Sequence, residues 1–282
     1  MLRGRDFTRL FLTRSQARPR LLILLEEDGP EWSWNIYSSP QPQNPYEKSS
    51  LVVSANFHTK IPRYTFDHGC AYASGLILFP NMWFPNRYFD VVCDPMTGQY
   101  AILPEVNKYS NASPSFLGFD PFGKQFKVFA EGLRNSKTLI LDDVDMHATK
   151  LVNYKGKLGG ISWEYGKDDI GRRVLELRMW VKEDVEEPEW LEHVYTLSDD
   201  KIVDEEVFVA GVTARGDIVL SMNRRTTCKP FYVFYFNPES NALQNVEIEG
   251  FGELHRRIII FVDHVEDIRT LNIIKTSART EA

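Results

Sequence analysis

The chain has 282 residues, 43% hydrophobic, 26% charged and 13% aromatic, with a formal net charge of −6. This length can bury a substantial core without metals or disulfides, and the composition is that of an ordinary soluble globular protein. The acidic balance excludes a general nucleic-acid binder, which needs a basic surface to meet phosphates.

Residues 1–20 stand apart, with Arg3, Arg5, Arg9, Arg14, Arg18 and Arg20 against the single acid Asp6. Phe7, Leu10 and Phe11 fall at helical spacing, which predicts a short amphipathic helix ending before Pro19. A mitochondrial presequence has the same Arg-rich, acid-poor character and is the competing reading. From Leu21 the pattern turns to strands. Leu21–Leu25 and Trp32–Tyr37 are apolar runs, and the Pro-rich stretch Ser38–Pro45 is read as a loop. Leu51–Phe57 and Gly75–Phe79 are further strands, with Asn81–Arg87 an exposed aromatic loop.

Three segments then share one grammar: Phe89–Pro104, Phe116–Phe129 and Phe231–Ile248. In each, Asp-Pro or Asn-Pro interrupts two apolar, aromatic-rich runs. Proline presets φ at a turn corner, and Phe- and Val-rich runs fit strands better than helices, so each is read as a β-hairpin. Between the last two lie Lys137–Leu141, Lys150–Tyr154, a Gly-rich hairpin around Gly156, Gly159 and Gly160, and the alternating strand Val174–Val181. The acidic stretch Glu183–Glu192 is read as a solvated face. His193–Leu197, a loop or helical turn at Asp199–Glu206, and a hairpin turning at Gly216 follow. Val246–Ile248 and Ile258–Val262 close the pattern, and the polar tail 276–282 is expected to fray.

The total is a dozen or more short strands with turn signals every ten residues or so. That predicts an all-β fold of the β-propeller (kelch-like) type, with a β-sandwich or barrel as the alternative. The separation of Asp120 from Asn237 is about 117 residues, three times about 39, close to one propeller blade; Asp94 to Asp120 is only about 26.

Candidate chemistry is thin. Asp142, Asp143, Asp145 and His147 are the densest group of potential ligands. As an EF-hand loop counted from Asp143 they would need Gly where Ala148 stands and an acid where Tyr154 stands. His58, His68, His147, His193, His255 and His264 show no zinc spacing. Cys70, Cys93 and Cys228, an odd number without close spacing, are expected to be reduced thiols of an intracellular protein. No G-x-S-x-G, Walker A or G-x-G-x-x-G motif is present. Asn111-Ala112-Ser113 is read as a chance match to a glycosylation acceptor, and Trp163, Trp180 and Trp190 as core anchors. No apolar run approaches the roughly 18–20 residues that cross a bilayer. No catalytic, cofactor-binding or metal site is therefore expected, and no binding residue is assigned.

Taken in order, several stretches resemble the plant F-box-associated domain, type 3. They are Asp6–Leu22, Ser38–Pro45, Val91–Pro104, Phe116–Phe129, Val152–Ile161, Met179–Trp190, Gly211–Leu220 and Lys229–Glu239. Any one is weak, but the ordered set covers nearly the whole chain. The resemblance implies a propeller-like fold at residues 21–275. It also implies a non-catalytic role, as the substrate-recognition part of a Skp–cullin–F-box ubiquitin ligase in the cytoplasm or nucleus. Skp-type adaptor and cullin are the implied partners where an F-box is present. Residues 1–20 resemble only the trailing end of that module, without its L-P-x-x-x-L segment, so a truncated receptor with an unknown protein substrate is expected. Nucleic acid and membrane are not expected partners. An enzyme with acids such as Asp142–Asp145 at the propeller mouth, or an organellar protein, is the alternative.

Overall fold

Strands carry almost all the regular structure of the computed structural model, which describes residues 13, 15, 17–27, 33–47, 51–62, 70–84, 87–104, 115–120, 122, 125–130, 149–183, 190–222, 230–251 and 255–266. The expected N-terminal helix is not borne out as an element. Residues 1–12 lie outside the described residues, and near them only Thr13 and Ser15 carry helical backbone. The chain divides into two units, Met1–Ser38 with Asn56–Thr138 and His264–Ala282, and Ser39–Ala55 with Leu139–Asp263.

In the first unit, β1 (Arg20–Glu27) carries Leu21–Leu25, none of which is exposed. A strand buried on both faces reads as a continuous apolar run, and this one does. Its neighbour β2 (Ser33–Pro40) continues past the expected end of the strand, with Ser38 and Ser39 fully buried. Ser38–Pro40 of the stretch read as a loop are therefore strand, and Pro45–Glu47 forms a 3-10 turn. The run Leu51–Phe57 breaks at Ala55 into β3 (Leu51–Ser54) and β4 (Asn56–Pro62), which join different sheets; β4 pairs with β2.

A second sheet is the meander β5 (Ala71–Ala73), β6 (Leu76–Phe84), β7 (Arg87–Cys93) and β8 (Tyr100–Ile102). Here the supposed loop Asn81–Arg87 is a hairpin arm, with Phe84 paired to Arg87 and Asn81 and Met82 buried. Pro80 has no N–H for the ladder, and the register shifts between Phe79 and Met82. Asn81, at φ 53°, sends its N–H instead to Asp90 Oδ1 at 2.9 Å. Asp90 Oδ2 also accepts from Ser115 Oγ at 2.8 Å, tying this meander to the hairpin β9 (Ser115–Asp120) and β10 (Gln125–Ala130).

The second unit holds the meander β11 (Thr149–Tyr154), β12 (Lys157–Lys167), β13 (Arg173–Val181) and β14 (Leu191–Leu197). Lys155 and Gly156, both at positive φ, turn β11 into β12; Gly159 and Gly160 lie within β12, not in the turn. A helical turn α1 (Asp200–Val203) leads to β15 (Val207–Val212), β16 (Ile218–Met222), β17 (Phe231–Asn237) and β18 (Ala242–Glu249), with Gly216 turning β15 into β16 as expected. Strand β3 adds to β18 in parallel as a fifth strand. At that junction Gly250 has φ +97°, and a Cβ would stand 2.8 Å from the Ala55 carbonyl oxygen, so only glycine fits without movement. The core of this sheet is β17, where Phe231, Val233, Phe234, Tyr235 and Phe236 are all buried. Each such ring contributes about 1.5–3 kcal/mol of hydrophobic stabilisation. Strand β19 (His255–His264) completes the described chain.

All three Asx-Pro hairpins form, as β7–β8, β9–β10 and β17–β18. Proline has no N–H, so the first donor available after Asx is two residues on. Asp94 Oδ1 accepts from Met96 N at 2.8 Å, Asp120 Oδ1 from Phe122 N at 3.0 Å, and Asn237 Oδ1 from Glu239 N at 3.0 Å. Asn44, before Pro45, does the same for Tyr46 N at 3.3 Å.

Candidate functional site

Asp142, Asp143, Asp145, His147, His68, Cys228 and Asn111–Ser113 lie outside the described residues, as does the side chain of His255. Of the acidic stretch, Glu183 pairs with Lys157, Leu191 and Glu192 belong to β14, and residues 184–189 lie outside the description. Among the described residues no cluster of His, Cys, Asp and Glu has the makings of a metal site, and no helix is long and apolar enough to cross a membrane. Neither Cys70 nor Cys93 forms a disulfide, and burial pushes the Cys93 thiol up to about 12. Trp163, Trp180 and Trp190, read as core anchors, are half-buried, whereas Trp34 is buried.

One pair has the look of a nucleophile and its base: Ser38 Oγ lies 2.6 Å from His58 Nε2. Ser38 is wholly inaccessible, and its oxygen already accepts from Arg20 Nε at 2.8 Å, so its contact with His58 is a structural hydrogen bond of a buried hydroxyl. Burial pushes the His58 imidazole below its usual range. Nearby, Tyr72 Oη stands 2.9 Å from His264 Nδ1 and accepts from Gly75 N. Burial lowers His264 to about 3, keeping it neutral at any physiological pH. His264 is a core histidine, and His58 is half-buried with its ring bonded to a core serine.

In the second unit a polar network surrounds Asp217. Its Oδ1 accepts from Tyr46 Oη at 3.0 Å and Asn237 Nδ2 at 2.9 Å, while its backbone N–H donates to Thr213 Oγ1 at 3.1 Å. Burial, then the Asp217 charge, raises the Tyr46 phenol. Beside it, Asp263 accepts from Gln41 Nε2 and from the Ala214 backbone N–H, both at 2.6 Å. Tyr235 is buried in the same unit with its hydroxyl unpaired among the described residues. An unpaired buried hydroxyl costs about 1–3 kcal/mol, so Tyr235→Phe is expected to raise stability by about 1 kcal/mol in urea unfolding. A loss of that size would show that the hydroxyl has a partner.

A cleft of the second unit lies between α1 and the start of β17. Asp199 caps α1, its side chain accepting from Lys201 N at 2.9 Å. From β12, the Tyr165 hydroxyl accepts from Val207 N and has Glu205 O at 2.8 Å and Ile202 O at 3.1 Å within reach of its one proton. One phenol thus pins the helical turn and the chain that follows it. Its apolar lining is the buried Met222, the half-buried Tyr232 and the exposed Pro230, with Met222 Sδ accepting from Tyr232 N at 3.3 Å. Asp200, Asp204 and Glu205 form the rim, and Lys201 Nζ stands 4.2 Å from the centre of the Tyr232 ring. The cavity is about 230 Å³, smaller than the roughly 300–1,000 Å³ of small-molecule sites. It holds a side chain more readily than a metabolite. The charge pattern of Asp199–Glu206 was visible in the sequence; the aromatic floor, thirty residues away, carried no signal linking it to α1.

The family described as "F-box associated beta propeller domain" matches this chain at residues 20–140 and 135–265. "F-box protein At3g57590" of Arabidopsis thaliana is 41% identical, the match covering 95% of this chain and 83% of the relative. "Putative F-box protein At1g30920", also of Arabidopsis thaliana, is 41% identical over 98% of this chain and 87% of its own length.

Proposed function

The chain belongs to the F-box associated β-propeller family, and from that membership we propose that it is a substrate receptor of a Skp–cullin–F-box ubiquitin ligase. It holds a protein while other subunits transfer ubiquitin to it, and does no chemistry itself. The observation that carries this reading is the match to F-box proteins along most of their length. Two features support it. In the pair most like a catalytic dyad, Ser38 and His58, the hydroxyl is wholly buried and held by Arg20, and the cleft beside α1 is sized for a protein side chain. Cytoplasm and nucleus are the compartments this role requires.

The test is affinity purification of the tagged chain from plant tissue, with mass spectrometry of the proteins retained. Co-purification of a Skp-type adaptor and a cullin is expected. Retention of other proteins without either would overturn the ligase role and leave a free binding module.

A further inference from the structure

We propose that β14 is a self-pairing edge: two copies of this chain join their β14 strands antiparallel about a two-fold axis at Val194, making one continuous sheet. The strand ends its meander, in the order β11-β12-β13-β14, and pairs on one side alone. Among the described residues, no backbone N–H or carbonyl of Leu191–Leu197 bonds to anything beyond β13. A row of unpaired backbone groups is a template for another strand unless short length, lysine, proline or a bulge blunts it. Two edges of the first unit are blunted in these ways. There β4 carries Lys60 and Pro62 and pairs across a register shift, and β8 has three residues. In β14 none of these applies: seven residues, L-E-H-V-Y-T-L, run in unbroken register from Leu191 to Leu197. The unit's other meander shows that such an edge admits a further strand, since β3 pairs there with the outer side of β18.

The occupant follows from the strand's own order of residues. Turned about Val194, Leu191 faces Leu197 of the second copy, Glu192 faces Thr196, His193 faces Tyr195, and Val194 faces its own counterpart. Each facing pair shares a side of the sheet, and apolar, aromatic and hydroxyl–carboxylate pairs of this kind hold neighbouring strands together. No like charges are opposed. An axis at Glu192 would set two carboxylates face to face, and a one-residue slip would put outward side chains opposite inward ones. His193 and Tyr195 already stack with ring centres 6.3 Å apart, and the pairing continues that stack across the axis. Leu191 and Val194 are each 49% exposed, so the pairing also takes apolar surface out of water.

The test is sedimentation velocity of the purified full chain in about 0.1 M salt, where charges beyond about 10 Å are screened. One pair of edge strands is a small interface, so dimer is expected at about 100 μM chain and monomer at about 1 μM. Val194→Lys and Val194→Glu each oppose like charges at the axis, and each is expected to raise the dissociation constant about tenfold or more. Mixed in equal amounts, the two variants set lysine opposite glutamate, and the dimer is expected to return. Because Val194 is half exposed, both variants are expected to keep the parent's urea midpoint at about 1 μM, which separates a lost dimer from a lost fold. Leu151→Lys is the control. Leu151 is 56% exposed but stands three strands from β14, about 14 Å, so dimerisation is expected to stay within about twofold of the parent. A parent chain that is monomeric at about 100 μM overturns the pairing and leaves the edge to a strand of another protein. So does a dimer that Val194→Lys leaves intact, or a mixture no more dimeric than its components. Retention of a Skp-type adaptor bears on none of these results.

Discussion

Asp217→Ala is expected to destabilise the chain by about 2–4 kcal/mol, seen as a lower urea midpoint with an unchanged slope. The carboxylate is buried, so the loss is not that of a surface charge. Removing it strands two donors, Tyr46 Oη and Asn237 Nδ2, each of which then costs about 1–3 kcal/mol. Relief of the carboxylate's own desolvation offsets part of that. Asn237 matters doubly, because its Oδ1 also holds the β17–β18 turn through Glu239 N and Ser240 N. Asp217→Asn keeps an acceptor for both donors and is expected to cost less than half as much. Tyr46→Phe should destabilise the parent chain and do almost nothing in the Asp217→Ala background, since the partner has already gone. Additive losses, or equal costs for Asn and Ala, would show that the network is not what holds this region.

What could be read from the sequence was local. Asx-Pro between aromatic runs encodes a hairpin within a dozen residues, and all three formed, because the missing proline N–H and the Asx acceptor are fixed by covalent chemistry. Strand runs such as Leu21–Leu25 and Val174–Val181 were equally plain. The errors arose where a distant group decided the outcome. Asn81 and Met82 looked like an exposed loop, but Asp90 supplies the acceptor that lets the backbone turn inward past Pro80. Ser38 and Ser39 looked like loop because of the prolines after them, yet Arg20 binds Ser38 through both its hydroxyl and its carbonyl. The parallel pairing of β3 with β18 joins residues about 195 apart, beyond any periodicity signal. The cleft was half legible: the acids of α1 stand in one short block, but Tyr232 was read as one more strand aromatic.

Strand β11 makes the same point and carries a pH prediction. In T-K-L-V-N-Y, Leu151 lies on one face of the strand and Lys150 and Val152 on the other, and alternation alone does not say which face is inward. The structure turns Val152 inward and leaves Leu151 56% exposed, so Lys150 goes in with Val152 and its Nζ donates to the Ala210 carbonyl at 2.7 Å. Ala210 sits at the β15 register shift between Val209 and Gly211, and its buried carbonyl takes the lysine as partner. Burial lowers the Lys150 pKa from 10.5 to about 8, so at pH 7 the folded chain still carries a desolvated ammonium. Between about pH 8 and 10.5 the unfolded state binds more protons at this site than the folded state. Stability from Lys150 therefore rises with pH through that window, by up to about 3 kcal/mol. Cys93 works the other way: its thiol, raised to about 12, keeps its proton when folded, so its contribution falls as pH climbs past the unfolded value. The whole-chain profile is the sum of such opposed slopes. The difference between parent and Lys150→Met isolates one of them. Near pH 7 the methionine variant is expected to be the more stable by about 1–2 kcal/mol, the relieved desolvation exceeding the lost bond to Ala210. That advantage is expected to shrink or reverse by about pH 10.5, as the parent's amine sheds its proton and keeps its acceptor. A difference that stays constant across the window would mean that Lys150 titrates as a solvated lysine.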